Sequence, residues 1–239
     1  VPQAKIPQPF PTDWKEIEFR NVSFAFDQEL VLRNINLKVQ RGEVVALVGA
    51  SGIGMSETVY FDLETQRSFN DVGGSSNIVK MGVSVACAYS TQTGEYSLYR
   101  EEELDDLVAM LVKADLVVGH NHVKFDYGVL EAYTVLDLAA QTVNLDMLLD
   151  LEQHTGRRLR LDAVASATLG VGKTAVGTDA LKWWQKYKKT GDPKALMDIA
   201  EYCAYDVKVT KCVYEYGKEH GHVKYADNNG NEQIVPVDW

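Results

Sequence analysis

Three observations predict an α/β fold, a mixed sheet flanked by helices, with a β-rich appendage at the N-terminus. Three β-prone runs follow one another between residues 58 and 99. Beyond them, segments of helical period alternate with short apolar strands, and long helical stretches follow. Before them, residues 14–56 carry a separate set of strand-like segments. A length of 239 residues with 46% hydrophobic content suits one large domain with a real core, plus an appendage.

Residues 1–13 hold four of the six prolines and read as an extended arm. Residues 14–56 read as strands: IEFRNVSFAF, LVLRNINLKV, a turn at Arg41-Gly42, and EVVALVGASG. Thr58–Glu64 (TVYFDLE) is apolar and β-prone in its first half, as a buried strand should be. Residues 66–77 form a polar, Gly/Ser-rich loop. Val79–Tyr89 and Glu95–Tyr99 are two further strands around a turn at Thr93-Gly94. In 101–114, Leu104, Leu107, Val108, Leu111 and Val112 recur at the spacing of an amphipathic helix. Residues 115–120 (DLVVGH) form a short buried strand, 125–133 a helix and 144–147 another short strand. Helices follow over 161–169, 179–189 and 193–219, the last opening on Asp192-Pro193, a cap with proline at the first helical position. A hairpin closes the chain around Asn228-Asn229-Gly230.

Composition removes several classes. No apolar run reaches the ~18 residues of a membrane span, and the start has no basic region followed by an apolar one, so a cytoplasmic protein without membrane contact is expected. Cys87, Cys203 and Cys212 form no CxxC and cannot all pair, so reduced thiols are expected. A formal net charge of -10 argues against a general nucleic-acid-coating protein. It leaves room for an enzyme whose clustered acids hold cations.

Three segments carry chemistry. In a strand, side chains two apart share a face, so Asp62 and Glu64 look the same way. Two adjacent acids at a buried strand end are costly unless a cation compensates them. In HNHVKFD, a strand runs into a helix whose first turn bears Asp126. In YCAYD, Tyr202 and Asp206 stand four apart on one helix face. Basic residues cluster at Arg157, Arg158 and Arg160, and again at Lys182, Lys186, Lys188 and Lys189 among Trp183, Trp184 and Tyr187. Such clusters mark a solvated face or a path for phosphates. Burial against the sheet is the expected use of the tryptophans. His120 and His122 lack partners at metal-ligand spacing and read as structural.

Order and spacing of these segments resemble the DEDD family of 3′–5′ exonucleases, in the branch marked by Tyr-x-x-x-Asp, within the ribonuclease H-like superfamily. The resemblance covers about residues 57–217. It implies a ribonuclease H-like mixed sheet and two divalent cations, Mg²⁺ or Mn²⁺. It also implies that Asp62 bridges the ions, with Glu64 and Asp206 on the first and Asp126 helping to hold the second. Tyr202 would orient the attacking water. The products would be a nucleoside 5′-monophosphate and a strand shorter by one. Leu159–Ala165 with Leu169-Gly170 and Lys173 is similar to the segment before the last helix of polymerase proofreading domains, which favours DNA slightly over RNA. Some helicase-associated ribonuclease H-like domains are also similar. Thr65, Asn121, Phe125, Arg160 and Lys173 are the implied substrate-binding positions. Single-stranded DNA or RNA 3′ ends are the implied substrate, and a polymerase or helicase is a possible protein partner. An RNA-processing exoribonuclease and a non-catalytic nucleic-acid-binding module fit the same residues.

Residues 14–56 resemble the start of the nucleotide-binding domain of ABC transporters, where an aromatic near Phe26 would stack on adenine. The phosphate loop, Gly49-Ala50-Ser51-Gly52-Ile53-Gly54-Met55-Ser56, has Met55 where a lysine should meet the phosphates. No LSGGQ-like signature follows. ATP binding is therefore not expected, and residues 1–56 read as a truncated, β-rich appendage to a 57–239 exonuclease domain. Another partial match to the phosphate-loop pattern, Gly170-Val171-Gly172-Lys173-Thr174, has Ala167 where the first glycine belongs and reads as a loop after a helix.

Overall fold

The computed structural model describes residues 15–26, 29–41, 56–171, 177–227 and 229–239. The chain divides into two compact units, Val1–Met55 and Ser56–Trp239.

In the first unit, β1 (Glu16–Phe26) and β2 (Glu29–Gln40) pair antiparallel, from Glu16 opposite Gln40 to Phe26 opposite Glu29. The register is irregular between Phe19 and Ala25. On the polar face Lys38 Nζ lies 3.4 Å from Glu16 and 3.3 Å from Glu18. The third predicted strand and the loop at 49–55 lie outside the described residues.

The second unit is built on a five-stranded mixed sheet. Its strands are β3 (Thr58–Thr65), β4 (Val83–Ser90), β5 (Glu95–Tyr99), β6 (Leu116–Gly119) and β7 (Asn144–Asp146). Their spatial order is β5-β4-β3-β6-β7. The first three form an antiparallel meander, and β6 and β7 run parallel to β3. Helices cover both faces: α1 (Phe69–Val72), α2 (Leu104–Lys113), α3 (Asp126–Leu130), α4 (Leu138–Gln141), α5 (Met147–Thr155), α6 (Leu161–Leu169), α7 (Gly177–Thr190) and α8 (Pro193–His220). The sheet and its helices have the ribonuclease H-like arrangement expected from the order of the segments.

Strand alternation sets the two sides. Val59, Phe61 and Leu63 enter one core cluster with Leu104, Leu107 and Leu111 of α2. Tyr60 enters the other, with Cys203, Val207 and Val213 of α8. By the same period Asp62 and Glu64 face the α8 side. The long α8 is capped by Asp192, whose side chain accepts from Lys194 N–H, has Pro193 in its first turn, and ends on Gly221 in the left-handed region.

Three departures from the sequence reading have physical causes. The strand expected from Val79 begins at Val83, because Ser75–Lys80 winds into a 3-10 turn and Ile78 packs on Gly128. The polar loop over 66–77 holds a short helix, α1, closed by a reciprocal cap between Ser68 and Asp71. After β7 the chain forms the unexpected α5, whose N-cap is Asp146. The terminal hairpin, β8 (His222–Ala226) with β9 (Glu232–Pro236), brings the chain back to α8. There Trp239 stacks on Tyr214, occupies the space that a Cβ on Gly217 would need, and donates from its indole to Asp150 at 2.8 Å.

Candidate metal centre

Residues distant in sequence converge at the end of β3. One carboxylate oxygen from each of Asp62, Glu64 and Asp206 lies within 4.8 Å of the others. All three side chains are half-buried. The strand period delivers the first two, and a residue half-way along α8 delivers the third. Just beyond Glu64 the β3–β4 register shifts, which ends regular pairing beside the acids.

The electrostatics are those of uncompensated negative charge. Burial, then repulsion from Asp126, Asp206 and Glu64, pushes the Asp62 carboxyl well above the carboxylate range. Burial and repulsion from Asp206 and Asp126 do the same to Glu64. Burial raises Asp206 to about 6, opposed by the polar influence of the Tyr202 hydroxyl. Burial raises Asp126 to about 8, and backbone N–H donors work against it.

Asp126 is buried at the start of α3, outside the group of three. Its Oδ1 accepts from the backbone N–H of Leu63, between the two strand acids, at 3.2 Å. The fourth acid therefore braces the strand that carries the first two. Tyr202 and Asp206 share a face of α8, as their spacing requires, and burial and the carboxylate raise the pKa of the phenol. Trp183 packs edge-on to Tyr202 with ring centroids 6.4 Å apart. Cys203 is buried, and its thiol donates to the Asp62 backbone carbonyl at 3.3 Å, with Asp62 Oδ2 at 3.8 Å. Burial pushes that thiol well above its ordinary pKa, so it stays a donor.

The other expected positions are more dispersed. Thr65 is buried and its hydroxyl donates to Arg67 O at 2.9 Å. Phe125 is half-buried and meets Phe69 edge-on at 5.8 Å. Asn121 has φ 71°, a left-handed conformation that asparagine tolerates better than most residues. Its N–H donates to Asp146 Oδ1 at 2.8 Å, and its side-chain oxygen accepts from Arg158 at 3.0 Å. Arg160 is exposed ahead of α6 and pairs with Asp162 at 3.2 Å. Lys173 lies outside the described residues.

Asp146 escaped the sequence reading. Buried at the end of β7, it accepts from the N–H groups of Asn121, Val123, Leu148 and Leu149. One carboxylate thereby caps α5 and shapes the loop that leads to Asp126. Its signal was an aspartate just ahead of the run MLLDLEQHTG, a cap before a helix closed by glycine. His122, buried beside it, hydrogen-bonds Asn144 at 3.1 Å, and His120 hydrogen-bonds Leu159 O at 3.0 Å. Neither histidine is in the acid cluster.

The donor set is three carboxylates with a fourth nearby, all hard oxygen ligands. Such a set fits Mg²⁺ or Mn²⁺, and the raised carboxyls mark a place where positive charge would be stabilising.

Comparison with known proteins agrees with the architecture. By structure, the chain is similar to a family B DNA polymerase from the hyperthermophilic archaeon Pyrobaculum calidifontis. The TM-score is 0.50 at 18% identity, over 69% of this chain and 25% of that one, a likeness of fold. By sequence, short stretches match ABC proteins. An ATP-dependent lipid A-core flippase of Syntrophus aciditrophicus is 58% identical over 45 residues, 19% of this chain and 8% of its own. ATP-binding cassette sub-family B member 5 of Mus musculus is 54% identical over 46 residues, 18% of this chain and 4% of its own. The chain thus spans about a tenth or less of the curated relatives that it matches. The RNase_H superfamily matches residues 59–217, most of the second unit, including all four acids and Tyr202. On that match the chain belongs to the RNase_H superfamily.

Proposed function

We propose that residues 57–239 form a DEDD-type, metal-dependent 3′–5′ exonuclease that releases nucleoside 5′-monophosphates from single-stranded ends. The observation that carries this reading is the convergence of Asp62, Glu64 and Asp206 within 4.8 Å, with Tyr202 one helical turn before Asp206 on α8. Superfamily membership supports a nuclease. The finer assignment rests on the order of the motifs and the geometry at the end of β3.

Asp62, Glu64 and Asp206 would hold the divalent ions, with Asp126 completing the set. Bound there, Mg²⁺ or Mn²⁺ would supply Lewis-acid activation of water and neutralise charge that develops at phosphorus. The chain's own groups do the positioning. Cys203 fixes Asp62 from beneath through its thiol. Asp126 fixes the Leu63 backbone, and so the angle at which the two strand acids leave the sheet. The Tyr202 hydroxyl, still protonated because burial raises its pKa, would hydrogen-bond an attacking water and orient it toward the scissile phosphate. Asn121, whose N–H donates to Asp146, and Phe125, just ahead of Asp126, would meet the terminal nucleotide. Thr65, Arg160 and Lys173 would line the strand's path. DNA is favoured slightly over RNA, and a polymerase or helicase is the kind of partner such a domain would serve.

Residues 14–56 are the proposed source of the short ABC matches, serving as an appendage without ATP binding, since Met55 removes the lysine charge. Polarity is the discriminating test of the nuclease. An oligonucleotide blocked at its 3′ hydroxyl should resist digestion while one blocked at its 5′ end is degraded. The opposite pattern would reject the assignment.

A further inference from the structure

The chain carries a formal net charge of -10, yet α7 holds four lysines against one aspartate. Its inner side is packed: Ala180 is buried with Val85 and Ile199, and Trp183 and Trp184 pack against that cluster. Trp183 reaches Tyr202 at the metal centre. Trp184, Tyr187 and Lys188 stand at positions i, i+3 and i+4, so they share one stripe. The Trp184 and Tyr187 rings lie 5.6 Å apart, and Lys188 Nζ lies 5.7 Å from the Trp184 ring centroid. Both rings are half-buried, whereas Lys188 and Lys189 are exposed. Lys182 and Lys186 are already paired, with Asp179 at 2.8 Å and Asp192 at 2.6 Å. Among the described residues of α7, the two lysines without a carboxylate partner, Lys188 and Lys189, are thus at its aromatic end.

Two aromatic rings interleaved with lysines, on an otherwise acidic protein, suit a chain of stacked bases joined by phosphates. We propose that the Trp184–Tyr187–Lys188 stripe of α7, with Lys189, is a platform for single-stranded nucleic acid. It would hold nucleotides on the 5′ side of the one at the metal centre. This inference rests on the reading of that centre as a 3′-end nuclease. Adjacency supports it: Trp183, next to Trp184 in the chain, packs on Tyr202, one helical turn from Asp206. An acidic body would repel a polyanion over most of its surface, so a local basic and aromatic strip gives an incoming strand one favourable approach.

The test uses the full chain and its Trp184→Leu/Lys188→Gln variant, with Lys188→Gln/Lys189→Gln as a second that leaves the packed ring untouched. With Mn²⁺, kcat/KM on an oligonucleotide of about 15 residues should fall by roughly 5- to 150-fold in the first variant, mainly through KM. Cleavage of a dinucleotide, which offers the platform a single base at most, should fall by much less. The salt dependence of binding should weaken by about 0.7 in log–log slope for each lysine removed. Equal losses on both substrates, or none on either, would overturn the platform. Unchanged oligonucleotide affinity in both variants would also overturn it. Anisotropy of the labelled oligonucleotide in EDTA separates the two readings. Binding that the variants lose, by a parent that never cleaves, would keep the platform and reject the nuclease. Cleavage with variants indistinguishable from the parent would reject the platform alone. A parent that neither binds nor cleaves would reject both.

Discussion

Asp126 accepts a hydrogen bond from the backbone of Leu63, the residue held between Asp62 and Glu64, at 3.2 Å. The acid on α3 is thus tied to the strand that presents its neighbours, and its charge is felt by both. Asparagine keeps the acceptor oxygen and removes the charge. Asp126→Asn should therefore fold normally while turnover falls by about 100-fold or more, the scale of a lost contribution to metal-assisted chemistry. Thermal melting beside a steady-state assay would check this. A variant as active as the parent would return Asp126 to a purely structural role.

The metal-free protein should lose stability as pH rises. Asp206 and Asp126 have folded-state pKa values raised to about 6 and about 8, and Asp62 and Glu64 are raised as well. A carboxyl with a raised folded pKa binds more protons folded than unfolded. Its stabilisation is complete below the unfolded value near 4 and is lost as pH climbs through the folded value. In EDTA the melting temperature should fall between about pH 5 and pH 8. Mg²⁺ or Mn²⁺ should flatten that decline, with a stabilisation that grows with pH. A metal-induced shift that is constant across the range would contradict the site.

Tyr202→Phe keeps the ring that packs on Trp183 and removes the hydroxyl that meets Asp206. Turnover should drop by about 10- to 1000-fold with little change in KM, the range of positioning and acid–base effects. An unaltered rate would make Tyr202 a packing residue.

Asp146→Ala would leave the N–H groups of Asn121, Val123, Leu148 and Leu149 without their shared acceptor. A loss of at least about 2 kcal/mol in denaturant unfolding is expected, given the cost of unpaired buried donors. A loss under about 0.5 kcal/mol, no more than an ordinary surface substitution costs, would show that the loop does not depend on this carboxylate.

The acids were legible because their signals are local. The period of two along TVYFDLET sets Asp62 beside Glu64, and the four-residue step from Tyr202 sets Asp206 on the same helix face. The start of β4 was not legible, because Val79 and Lys80 join a 3-10 turn whose Ile78 packs over Gly128, a contact between distant segments. No local pattern marks Cys203, between Tyr202 and Asp206, and only the packing of α8 on β3 brings its thiol to the Asp62 carbonyl. Asp146 was hidden for a related reason. Its four partners come from two segments, one of them more than twenty residues upstream.

Product release from a single-stranded oligonucleotide labelled at its 5′ end tests the central claim most directly. With Mn²⁺ or Mg²⁺ the protein should produce a ladder that shortens one nucleotide at a time, with nucleoside 5′-monophosphates accumulating. EDTA should abolish the ladder, and so should Asp62→Asn. Undiminished digestion in excess EDTA, or full activity in Asp62→Asn, would contradict the account.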